Sequence, residues 1–293
     1  MTPRILIEGC AGLASLSLAV VCGRPTDAPW SRPGSKTGYA RALLRLAGLS
    51  RWRPDEIVWA EPSADCRMML QAYPDAERLR LAAALCREWG TAAREEGQRE
   101  LWARLKAEGP PGEYTAREVA RVAAVQARTV SQAGTEAFGG RFPGNWKPNV
   151  DRDKQAYPLD HPRRQMEVIA GARWPSTRLY RDAREIEVVG DAFAYFDWPY
   201  FGTLSYGPGD ITRPDALEVM RRWSAAGSLV MASEAVPLAE ELGEGWWAVD
   251  IGTARTGAAR SGANRGCVTE WVTMNRPPAW RPGEQVGIFG GAR

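Results

Sequence analysis

The chain of 293 residues holds a single histidine, His161, which is followed by Pro162 and two arginines. Set before a proline and two arginines, that lone imidazole argues against a Ser-His-Asp triad, and one histidine is too few for the facial triads and most metal hydrolases, which need imidazole as ligand or proton shuttle. Five cysteines (Cys10, Cys22, Cys66, Cys86 and Cys267) stand apart, with no CxxC pair among them, so neither a disulfide framework nor a zinc site is indicated. No apolar run reaches the roughly 18 residues of a membrane span. The stretch Ile5 to Val21 is broken by Glu8, Gly9 and Gly12 and reads as strand plus helix rather than a signal peptide. The expectation is a cytoplasmic protein with no membrane partner and no metal, whose chemistry runs on carboxylates, aromatic rings and backbone groups.

What is present is an ordinary globular composition, 44% hydrophobic and 25% charged, enough for a full core. The net charge is +3 but uneven: Arg121 to Arg184 carries twelve Lys and Arg against six Asp and Glu, a local +6 that leaves the remainder at −3. A basic segment of this kind either tracks a phosphate backbone or forms a solvated face. Thirteen tryptophans are present, and packing is the usual fate of an indole.

Along the chain, Arg4 to Glu8 predicts a strand, Gly9-Cys10-Ala11-Gly12 a turn, and Leu13 to Val21 a helix. Gly38 to Leu49 reads as helix and Glu56 to Ala60 as a second strand, which completes the βαβ opening of a doubly wound parallel sheet. Residues from Ala76 to Ala107 are helical. Thr115 with Glu118 predicts a capping box opening a helix that stops near Gly134. Gly139 to Asp160 has no period and reads as a long loop. Further strands are expected at Glu187 to Val189, Phe193 to Phe196, Ser228 to Ala232, Trp246 to Ile251 and Cys267 to Met274. A helix runs through Leu217, Met220 and Trp223, with Thr212 as cap and Gly227 as stop.

The chemistry concentrates after the Phe193 to Phe196 strand, at Asp197-Trp198-Pro199-Tyr200. A carboxylate at a strand's C-terminal edge beside a rigid proline and an aromatic ring suits a planar, amine-bearing base. Asp197 would accept one hydrogen bond from the exocyclic amine and the carbonyl of residue 198 a second, while Tyr200 stacks on the ring. Held in this way, the nitrogen lone pair is steered toward a methyl donor without a strong base.

This segment resembles the Asp-Pro-Pro-Tyr motif of N6-adenine DNA methyltransferases, and its surroundings are similar to a phage and prophage lineage of the D12 class. There the motif continues Gly-Thr-Thr-Gly-Tyr-Gly, here Gly202-Thr203-Leu204-Ser205-Tyr206-Gly207. Glu8-Gly9-Cys10-Ala11-Gly12-Leu13-Ala14 resembles the family's Glu-Pro-Phe-Ala-Gly-Ser-Ala, and Pro33 to Ala40 its Gly-Gly-Lys-Arg-Gly-Tyr-Ala. Gln126-Ala127-Arg128, Asp182-Ala183-Arg184, Ser233-Glu234-Ala235 and Glu270-Trp271-Val272-Thr273 follow in the same order, so the likeness spans essentially the whole chain.

The resemblance implies a Rossmann-like class I S-adenosylmethionine (SAM) methyltransferase sheet, α/β, built from residues 1–75 and 176–293. Residues 76–175 would form a mostly helical and loop insertion for target recognition. It also implies that Gly9, Ala11 and Gly12 let the backbone approach SAM, that Lys36 sits near the methionine carboxylate, and that Glu61 takes the ribose hydroxyls. An acid at that strand end is also how doubly wound folds hold a ribose. Glu8, Cys10, Pro62, Asp182 and Ala183 complete the cofactor set. The target would be an adenine flipped out of double-stranded DNA. Arg128, Arg141, Lys147, Arg152, Lys154, Arg163 and Arg164, with Thr203 and Tyr206, are candidates for contact with it, although Arg128 also falls within a helix and has a structural reading. Two departures from the family bear on activity: Trp198 replaces a proline, and Cys10 an aromatic. A weakly active or inactive DNA-binding scaffold and a methyltransferase for RNA, a protein amide or cytosine N4 therefore stay open.

Overall fold

The computed structural model describes residues 2–23, 28–30, 38–129, 159–198, 211–255 and 267–279. Its seven strands are β1 (Ile5–Gly9), β2 (Glu56–Ala60), β3 (Ser176–Tyr180), β4 (Ala192–Asp197), β5 (Leu229–Glu234), β6 (Trp247–Arg255) and β7 (Cys267–Met274). They form one sheet in the order β3-β2-β1-β4-β5-β7-β6. All neighbours are parallel except β7, which runs antiparallel to both β5 and β6. The chain is a Rossmann-like α/β fold. Its strand order reverses at β1, which pairs with β2 on one side and β4 on the other, and the register sets Gly9 beside both Ala60 and Phe196. In open α/β sheets the crevice at such a switch point, beyond the carboxyl ends of the strands, is where ligands bind.

The central strands are apolar on both sides because both faces are covered. One face carries Leu6, Trp59, Phe193, Tyr195 and Met231; the other carries Ile7, Val58, Ala194, Phe196 and Val230. Against the first pack α1 (Ser15–Cys22), α2 (Ala40–Leu46) and a run of five helices between β2 and β3. These are α3 (Ala64–Ala72), α4 (Ala76–Glu96), α5 (Gln98–Ala107), α6 (Ala116–Ala127) and α7 (Asp160–Ala170). Their buried residues, from Leu79 and Cys86 to Val122 and Met166, belong to the same cluster as Leu6 and Trp59, so the helical insertion and the sheet share one core. On the second face lie α8 (Arg213–Ala225) and the 3₁₀ turn Ala183–Glu185. A four-residue helix, α9 (Ala239–Leu242), follows β5. Among the described residues no helix is long and apolar enough to cross a membrane.

Several expectations are corrected. Glu187 to Val189 is not a strand: it is an irregular connection, tied down where the Ser228 hydroxyl donates to the Val189 carbonyl. The edge strand is instead Ser176–Tyr180, half exposed and crossed by an Arg178–Glu56 ion pair, so it lacks the apolar run of an interior strand. Asp160 to Ala170 is a helix, with Pro162, Met166, Ile169 and Ala170 buried on a helical stripe packed against α4. The helix opened at Thr115 ends at Ala127 rather than near Gly134. Only half of its capping box forms. The Thr115 hydroxyl accepts from the Glu118 N–H, but the Glu118 carboxylate turns to the buried Arg121 guanidinium and the Gly112 N–H. A complete box forms at Thr212 and Asp215, at the start of α8.

Candidate active site

The turn after β1 is strained. Cys10 and Ala14 take positive φ (56° and 53°), a conformation that costs an L-residue about 1 kcal/mol or more, and Gly12 does the same at 54° without that cost. Because Ala14 has no side chain with which to cap α1, the orphan N–H groups of the first turn need another acceptor. Glu8 supplies it from the end of β1. Its carboxylate accepts from the N–H of Leu16 at 3.1 Å and of Ser17 at 2.9 Å, and from the Ser17 hydroxyl. The Trp59 indole N–H in turn donates to that hydroxyl at 2.9 Å. Burial pushes the Glu8 carboxyl up to about 7, against the lowering effect of those hydrogen bonds.

Gly9 is required by packing. A Cβ there would run into the Phe196 ring, 2.8 Å from Cε1, and lie 3.2 Å from the Ala183 Cβ. Packing against β4 and the 3₁₀ turn thus requires a glycine here, and the same residue also borders the cleft at the switch point. Gly12 has nothing within 4 Å of its Cβ position and serves by its positive φ. The Gly12 N–H donates to Glu61 Oε2 at 2.7 Å, and the Ser63 N–H donates to Glu61 Oε1 at 2.9 Å. Glu61, 4% exposed, thus fastens the glycine turn to the end of β2. Pro62 is exposed, with its carbonyl taken by the Arg67 guanidinium. Asp182 caps the 3₁₀ turn and pairs with Arg184. Desolvation raises its carboxyl, but the hydrogen bonds from Arg184 outweigh this and hold it below the usual range.

A small cleft opens at the switch point, lined among the described residues by Glu8, Gly9, Ala11, Ser15, Tyr195 and Asp197. Asp197 ends β4 in register with Ser233 and shares a sheet face with Tyr195 two residues earlier, whose hydroxyl shares a 2.8 Å hydrogen bond with the Ser233 hydroxyl. Trp198 goes the other way. Its indole, 1% exposed, stacks on Phe196 with centroids 4.6 Å apart and planes 4° apart, in the cluster under α8. The large side chain at this motif position is thereby accommodated in the core and kept out of the cleft. Its Nε1–H is buried without an acceptor among the described residues.

The structure therefore gathers Glu8, Gly9, Ala11 and Asp197 around one cleft, with Cys10 and Gly12 in the adjoining turn and Glu61 and Ala183 against it. Ser15 and Tyr195, which also line it, were not singled out from sequence. The signal for Tyr195 was the period of two that puts it on the face of Asp197. Arg163 sits in ion pairs with Asp160 and Glu167, Arg164 is exposed on the same helix, and Arg128 closes α6 half-buried, where desolvation lowers its pKa. Lys36, Arg141, Lys147, Arg152, Lys154, Pro199, Tyr200, Thr203 and Tyr206 lie outside the described residues.

No protein-family model matches the chain, and no curated protein gives a significant match. Among solved structures it is similar to the rRNA methyltransferase AviRa from Streptomyces viridochromogenes. The identity is 12%, the alignment covers 94% of this chain and 77% of that chain, and the TM-score is 0.32. What the site can do follows from its own residues.

Proposed function

We propose that the protein is a SAM-dependent methyltransferase that modifies the N6 amine of adenine in double-stranded DNA. The observation that carries this reading is the cleft at the switch point, where Asp197 at the end of β4 faces the glycine turn of β1 across a space also bordered by Glu8. The Asp197 carboxylate beside a backbone turn suits a methyl donor that carries positive charge on sulfur and nitrogen. The collinear motifs around Asp197 support adenine in DNA as the acceptor.

When bound, SAM supplies a methyl group on a positively charged sulfur. Asp197 accepts one hydrogen bond from the target amine and the Trp198 carbonyl accepts the other, so both N–H bonds are held and the lone pair points at the incoming methyl. Tyr200 stacks on the base. The methyl group would leave its sulfur, which departs as a neutral thioether, for the amine nitrogen, and the proton the nitrogen then sheds would have the Asp197 carboxylate as its neighbouring acceptor. Lys36 and Glu61 belong to the cofactor side, and Arg141, Lys147, Arg152 and Lys154 to the DNA side.

The test is to incubate purified protein with unmethylated duplex DNA and methyl-labelled SAM, then digest to nucleosides. Labelled N6-methyladenine that disappears in Asp197→Ala is the expected result. SAM binding with no label in DNA would move the acceptor to RNA, a protein amide or cytosine N4. No SAM binding at all would leave a DNA-binding scaffold.

A further inference from the structure

Four buried polar side chains connect the helical insertion to the cleft. Gln126, in the last turn of α6, donates from Nε2 to Asp65 Oδ2 at 2.6 Å. The Ser63 hydroxyl donates to the other oxygen, Asp65 Oδ1, at 2.6 Å. The Ser63 N–H donates to Glu61 Oε1, and the Glu61 carboxylate holds the Gly12 N–H through Oε2. All four side chains are nearly sealed from solvent: Gln126 and Asp65 are 0% exposed, Ser63 3% and Glu61 4%. The orientation of the Gln126 amide follows from its partner, because a carboxylate only accepts. Polar side chains buried in this way stiffen what they join, since each lost link leaves a desolvated group without its partner.

The two ends give the chain its meaning. One end is a turn with three positive φ angles, held by Glu61 in a conformation that Cys10 and Ala14 do not favour by themselves. The other end is the C-terminal turn of α6, inside the basic segment that runs from Arg121 to Arg184. Ser63 is the N-cap residue of α3, yet its hydroxyl makes no cap to that helix; it is spent on Asp65.

We infer that Gln126 is a positioning residue for the cofactor: through Asp65, Ser63 and Glu61 it fixes the Gly12 turn, so that the state of the helical insertion sets the affinity of the cleft for SAM. This rests on the methyltransferase reading above. It gives the insertion a role on the cofactor side besides that of holding nucleic acid.

The experiment is a double-mutant cycle read by calorimetric titration of SAM into the full chain, well below the melting temperature. The variants are Gln126→Met, which keeps length and removes the donor, Glu61→Gln, and the two combined. Gln126→Met is expected to weaken SAM binding about five- to tenfold, within the range that couplings through packed and hydrogen-bonded chains reach. In the Glu61→Gln background the same change is expected to cost less than about twofold, because the link is already cut. Should Gln126→Met fail to fold, Ser63→Ala breaks the same chain one link later and takes its place in the cycle. A purely structural glutamine would lower the melting temperature and leave the Kd alone, and that result overturns the inference. So does an equal loss of affinity in both backgrounds. Failure of the unaltered protein to bind SAM is a separate outcome, which refutes the methyltransferase reading and the inference with it.

Discussion

Replacing Gly9 by alanine tests the packing on which the switch point is built. The added methyl would lie 2.8 Å from Cε1 of Phe196 and 3.2 Å from the Ala183 Cβ, whereas carbon atoms settle about 3.5–4.0 Å apart. Something must move by roughly 1 Å, and the ring has little room to do so. Phe196 is 0% exposed and lies flat on Trp198, which is itself buried under α8. Overpacking of a tight core costs about 1–3 kcal/mol, and the stacked partner puts Gly9→Ala in the upper half of that range, about 2–3 kcal/mol. The φ at Gly9 is not positive, so the whole penalty is steric and relief should come from the ring. In a Phe196→Leu background, Gly9→Ala should cost less than about 1 kcal/mol, a coupling of at least about 1 kcal/mol between the two sites. Equilibrium urea unfolding of the four proteins, followed by tryptophan fluorescence, measures it. An equal cost in both backgrounds, or none in either, would refute the reasoning.

Glu8 makes stability depend on pH. Its carboxyl sits near 7 folded against an ordinary 4.5, so between those values the native state holds a proton that the unfolded chain has lost, and stability falls as pH rises from about 4.5 through about 7. The fall is bounded at about 3 kcal/mol, and Glu8→Gln should remove it from urea midpoints compared at pH 5 and pH 8; an unchanged slope in the variant would assign the effect elsewhere. Trp198→Phe loses ring area but also removes a buried N–H that has no acceptor among the described residues, a defect costing about 1–3 kcal/mol. The two terms offset, and the variant should lie within about 1 kcal/mol of the unaltered protein in the same denaturation assay. A loss above about 2 kcal/mol would mean that the indole N–H finds an acceptor in solution.

Much of the framework was legible before the structure. The runs Arg4 to Glu8, Glu56 to Ala60 and Phe193 to Phe196 announce interior parallel strands because strands covered on both faces must be apolar throughout. The opposite case is Ser176–Tyr180. An edge strand buries only part of its surface and tolerates Arg178 at its centre, so its sequence resembles a loop. Glu187 to Val189 shows the converse: β-branched residues at the rim pack on the second face without pairing, and β propensity measures that fit as much as strand formation. Asp160 to Ala170 was masked by its neighbours, since four buried positions on one stripe are easily lost beside a long aperiodic stretch rich in charge and proline.

The sequence by itself determined the chemistry that is available: one histidine, acids at the ends of strands, and a glycine turn after the first of them. It also determined the alternation by which Tyr195 and Asp197 share one side of β4 while Phe196 and Trp198 share the other. What only the tertiary structure decided is how those groups are spent. Glu8 is engaged by the first turn of α1 because Ala14 cannot cap it, Gly9 is claimed by a ring 187 residues away in the chain, and Glu61, read from sequence as the ribose acceptor, holds the Gly12 N–H. A carboxylate's identity is local, but the donors that reach it, and how much water it keeps, depend on which segments the fold brings together.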